Sequence, residues 1–165
     1  EEAGAEGTEE PADDGSGDAE PEELVTVLNF ELFGKTPDTS DEEWVEIVEH
    51  AEEMSYGGKG RKRAMDKLQE HGTKALPAVI NTLNDTDLTD AIKWMDAFEV
   101  CKFIKEDLTH DVVKVPFKGD PRPEDPAEIK FNLAALQSLV DFWQKKADDP
   151  DDYEYTRQKV EEAVK

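Results

Sequence analysis

Residues 59–90 read KGRKRAMDKLQEHGTKALPAVINTLNDTDLTD. Ala64, Met65 and Leu68 recur at the spacing of one helical face, which predicts a helix from about Lys59 to His71 with Gly72 as its stop. A second helix follows over Lys74–Leu83. Its Pro77 lies near the start, where a missing amide costs little. Asp85, Thr86, Asp87 and Asp90 then read as an inter-helix turn and a cap for the next helix.

The pattern extends in both directions. Upstream, Ser40 and Glu43 form a capping-box pair, and Trp44, Ile47, Val48 and Ala51 recur at helical spacing until Tyr56-Gly57-Gly58. Leu24–Phe33 has two readings. Leu24, Val27, Leu28 and Leu32 share a helical face between Pro21 and Gly34, whereas Val25, Thr26, Val27 and Phe30 favour a strand. A helix packed on the domain is the preferred expectation. Downstream, Asp87–Leu108 predicts one helix, apolar around most of its circumference and therefore covered on several sides. Thr109–Lys130 is a long connection with four prolines, in which Val112–Val115 and Ile129–Phe131 are candidates for a small β-hairpin. Asn132 is expected to cap a fifth helix carrying Leu133, Leu136, Leu139, Val140 and Trp143. A polar helix over Asp152–Ala163 closes the chain.

Arg61, Ala64, Leu68, Gly72, the run Ala75-Leu76-Pro77-Ala78-Val79-Ile80, Leu83, Asp85 and Asp87 resemble one repeat of the HEAT-like, armadillo-type helical repeat family. The resemblance covers about residues 59–90 and implies stacked helix pairs of the α-α superhelix type. It also implies that Arg61 pairs with an acid of the next unit. The expected fold is all-α: an antiparallel bundle of five or six helices in two layers. The organisation divides into an acidic leader over 1–20, a segment over 21–39 packed on the domain, and a helical domain over 40–165.

Charge sits unevenly on this frame. The chain carries 42 acids against 19 bases, and eleven of the acids fall within Glu1–Glu23, which holds no Lys or Arg. The leader has no aromatic or branched aliphatic residue and cannot offset its ordering entropy, so disorder is expected there. It resembles the flexible spacer behind the cleavage site of exported bacterial proteins, lipoproteins included, which implies a periplasmic or surface location. A solubilising tail on a cytoplasmic protein is the alternative. A net charge of -23 repels phosphate and disfavours nucleic acid and anionic membranes as main partners. No apolar run reaches the length of a membrane span.

Residue types that carry chemistry are present without the spacing that chemistry needs. His50, His71 and His110 lack the i, i+4 pairing of zinc peptidases, and the first two fall near predicted helix ends. Cys101 lies among Phe98, Phe103 and Ile104, as a buried thiol would. The Asp85–Asp90 run lacks the Gly and the distal Glu of a calcium loop. Lys59, Arg61, Lys62 and Arg63 form the basic cluster, read as a solvated helix start without the aromatic interleaving of a nucleic-acid site. No catalytic residue, metal ligand or cofactor site is nominated. The expected function is non-enzymatic, a protein-interaction or scaffold module for a basic or neutral protein partner. Val115, Pro116 and Phe117 are candidates for part of the contact. The rival is an enzyme or enzyme subunit with an acidic site assembled from unobvious residues.

Overall fold

The computed structural model describes residues 23–165, so the expectations for the leader and for Pro21 lie outside the described residues. The described chain is all-α. Its helices are α1 (Asp41–Ser55), α2 (Gly60–His71), α3 (Leu76–Asn81), α4 (Ala91–Lys102), α5 (Pro126–Asp148) and α6 (Pro150–Val164). A 3-10 turn, Gly72–Ala75, joins α2 to α3, and a π-helical segment, Phe103–Leu108, prolongs α4. None of the described helices is long and apolar enough to cross a membrane.

Local chemistry accounts for the helix starts. Ser40 accepts the Glu43 amide at 3.1 Å, Asp90 accepts those of Ile92 and Lys93, and Asp149 accepts that of Asp151. Each satisfies an orphan donor of a first turn. Gly72 ends α2 at φ +61, a backbone region that favours glycine. One buried cluster gathers Ile47, Met54, Leu68, Leu76, Ile80, Trp94, Ile104, Leu136 and Trp143, so stripes from every long element close on a common core. Trp44 packs against that cluster while half-buried.

Several expectations are corrected. Residues 24–33 are an extended strap, not a helix, joined to the loop before α4 by a single antiparallel bridge between Val27 and Asp87. The β-branched run Val25-Thr26-Val27 is stiff in a helix, and here its Thr26 carbonyl accepts the Leu88 amide. Asp87–Leu108, expected as one helix covered on several sides, is helical over a shorter range. It starts only after Asp90, and Ile92, on its first turn, stays 74% exposed. The hairpin does not form. Residues 112–117 are irregular and Ile129–Phe131 belong to α5, because Asp125 caps a helix that opens on Pro126. The third helix is shorter than Lys74–Leu83, its first turn being 3-10, and α6 begins earlier than expected, at Pro150.

Asn132 is not a cap. It lies inside α5, fully buried, on the same stripe as Ile129 and Leu136. Its Oδ1 accepts the Lys118 amide at 2.8 Å and its Nδ2 donates to the Lys118 carbonyl at 3.1 Å. The Trp94 indole donates to that same carbonyl at 2.7 Å. The long connection is thereby pinned to α4 and α5 at one residue. Beside it, Gly119 lies so close to Phe98 that a Cβ would sit 2.7 Å from the ring, which leaves room for glycine alone.

Asn132→Leu therefore removes the partner of the part-buried Lys118 amide. The expected loss is about 2 kcal/mol of unfolding free energy. Urea titration checks it, as a lower midpoint at unchanged slope.

Candidate functional site

A cleft of about 740 Å³ opens between the α2–α3 turn, the end of the π-helical segment and α6. His71, His110, Asp107, Glu154 and Arg157 line it. Three of its basic groups, His71, Lys74 and Arg157, are held by carboxylates. Arg157 donates to Glu154 and to Glu161. His71 Nδ1 meets Glu43 Oε2 at 2.9 Å, its Nε2 faces Glu46 at 3.9 Å, and Lys74 Nζ reaches Glu43 Oε1 at 3.3 Å. Both ring nitrogens of His71 thus face carboxylates of α1, and the ring ties α2 to α1. The capping box is realised by half: Ser40 accepts the Glu43 amide, while the Glu43 carboxylate turns to His71 and Lys74.

Other candidates resolve into structural roles. Cys101 is buried in the core, and burial pushes its thiol up to about 12. Asp87 accepts the amide and hydroxyl of Thr89, and Asp90 caps α4. Asp152 pairs with Lys146 at 2.9 Å. In the basic cluster, Arg61 donates to Asp96 of α4 at 2.9 Å and to the Met54 carbonyl at 3.2 Å. Lys62 meets Asp66, and Arg63 meets Glu53. His50 lies 3.7 Å from Glu46.

Val115 and Phe117 are buried, with the Phe117 ring edge-on to Trp94 at 6.1 Å. Pro116 between them is exposed. The side chains of Val115 and Phe117 therefore complete the core, and Pro116 alone of the three faces solvent.

The strap offers a different surface. Leu28 and Phe33 anchor it in the core. Leu28 donates to the Thr86 carbonyl and accepts the Asp85 amide, and the Thr26 carbonyl accepts the Leu88 amide. Asn84 Oδ1 accepts the Phe30 amide at 2.9 Å. Asn81 holds Phe33 at both its amide and its carbonyl, each at 2.9 Å. On this fixed backbone Val25 is 63% and Leu32 59% exposed, with Leu24 beside them in water. Sequence reading put Leu24 and Leu32 on one helical face and Val25 among the residues that favour a strand. Strand alternation accounts for buried Leu28 and outward Val25, whereas Leu24 and Leu32 share the register of Leu28 and are exposed all the same.

No protein-family model matches the chain, and no curated protein or solved structure matches it.

Two measurements follow. Hydrogen bonding from His71, then the nearness of Lys74, holds the Glu43 carboxyl below its ordinary 4.5. A lowered folded value contributes stability that is present above the unfolded value and lost as pH falls through the folded one. Glu43→Gln should therefore be less stable than the parent at neutral pH, and the gap should close as pH drops below 4.5 in thermal melts. Cys101 should resist alkylation at pH 8 in the folded chain and react on unfolding in urea, as thiol labelling reads directly.

Proposed function

We propose that the chain is a non-enzymatic protein-interaction module of HEAT-like type whose partner is a basic or neutral protein. One observation carries this reading: Val25 and Leu32 stand in water on a strap whose backbone is fixed by hydrogen bonds to Asn81, Asn84 and the loop before α4. Ordered apolar side chains grouped on one element mark surfaces that other molecules cover. The net charge of -23 selects against acidic partners and speeds encounter with basic ones. The ion pair from Arg61 of α2 to Asp96 of α4 supports the repeat-like part of the reading, since it ties the unit to the helix that follows.

The rival, an enzyme site in the cleft by His71 and His110, draws on that cleft's size. It is the weaker reading because His71 and Arg157 are both held by carboxylates.

Photo-crosslinking in the source cells tests the proposal. A photoreactive residue at Leu32 should give a discrete protein adduct, and the same residue at exposed Glu49 should give none. Equal labelling at both positions, or none at either, would exclude the strap as an interaction surface.

A further inference from the structure

We propose that the outward edge of the strap, at Val25, Val27 and Asn29, is a docking edge that takes up one extended strand from a partner, apolar at its centre and carrying Lys or Arg at both ends. This rests on the interaction-module reading and gives that interaction its place.

Along an extended chain, successive residues direct their backbone groups to alternate sides. Thr26, Leu28 and Phe30 direct theirs toward the loop before α4, where the Thr26 carbonyl, both Leu28 groups and the Phe30 amide find partners. The amides and carbonyls of Val25, Val27 and Asn29 therefore point the other way. Among the described residues nothing bonds to them. Val25 and Asn29 are exposed and Val27 is half-buried, so the edge faces water. Such a row of unpaired groups is a template for another strand, with main-chain bonds supplying affinity and alternate side chains specificity. Edges that must stay unpaired are usually blunted by Lys, Pro or a bulge. Residues 23–34 contain no Lys, Arg or Pro.

Charge chooses the occupant. Glu23 and Glu31 flank the edge. In a symmetric antiparallel pairing of two copies centred on Val27, Glu23 of each copy would stand opposite Glu31 of the other. Like charges directly opposed destabilise a pair. A strand with Lys or Arg at those positions gains where a second copy loses. The apolar centre meets Val25 and Val27, and alternation with Thr suits a half-exposed edge.

The experiment titrates the isotope-labelled full chain with a short peptide of alternating Val and Thr flanked by Lys, and separately with its Glu-flanked counterpart, while following backbone amide shifts. The Lys peptide should move the Val25, Val27 and Asn29 amides, and the Glu peptide should not. Val27→Pro removes an amide that bonds to no described residue. It should weaken the Lys peptide about tenfold, the effect of losing one hydrogen bond's net worth, at an unchanged melting temperature. If Val27→Pro melts early, Val25→Lys serves instead, since that side chain is in water and a cation there both blunts the edge and repels the Lys peptide. Equal binding of both peptides overturns the charge rule. Shifts confined to other surfaces, such as Ile92 and Met95, or no shift at all, overturn the docking edge. In those cases a crosslink from Leu32 still upholds the wider interaction reading, and absence of both removes the two together.

Discussion

A helix pairs its own amides, but a chain in which residues 24–40 and 109–125 are not helical must find partners for that backbone elsewhere. This protein meets the need in part with asparagine side chains. Asn132 takes both groups of Lys118, Asn81 takes both groups of Phe33, and Asn84 takes the amide of Phe30. A carboxamide carries one acceptor and two donors in a plane, so it reproduces the hydrogen bonds a neighbouring strand would make. Each irregular segment is thereby fixed without a sheet. The helices supply the core, and these amides decide where the rest of the chain lies on it.

The same constraint explains what remains open. An asparagine satisfies one side of an extended chain. The strap is held at Thr26, Leu28 and Phe30 from the side of α3 and the loop before α4, which leaves its other edge without a described partner. The connection around Lys118 differs, since it is held between Trp94 and Asn132 and carries Val115 and Phe117 into the core. Two irregular segments thus end in opposite states, one absorbed and one offering an edge.

Legibility in the sequence follows the range of the interactions. Helices with local signals were readable: the Ser40 cap, the Gly72 stop, and the Ala64, Leu68 and Leu76 stripe all describe contacts within a turn or two. The partnership of Arg61 with a later acid was readable in kind, and the acid is Asp96. The strap, the hairpin candidate and Asn132 were misread because their outcomes hinge on distant groups. Asn132 has the residue type of a cap, and only its place on the Ile129–Leu136 stripe marks it as buried. Pro126 outweighs the β-branched character of Ile129, since Asp125 with Pro126 opens a helix through it. For the site, Val115-Pro116-Phe117 looked like a protruding apolar loop. No sequence rule states that Trp94 lies across the core to receive Phe117.

The strap also sets an order of assembly. It leaves the ribosome before its acceptors, since Asn81 and Asn84 lie 48 and 54 residues beyond the groups they hold. Asp38, at the strap's exit, waits for the Tyr153 hydroxyl, 115 residues downstream. Closing such a span costs more entropy than a contact within one helix. During synthesis Leu28 and Phe33 therefore wait for the stretch from Asn81 to Leu88 before the strap's backbone can be held.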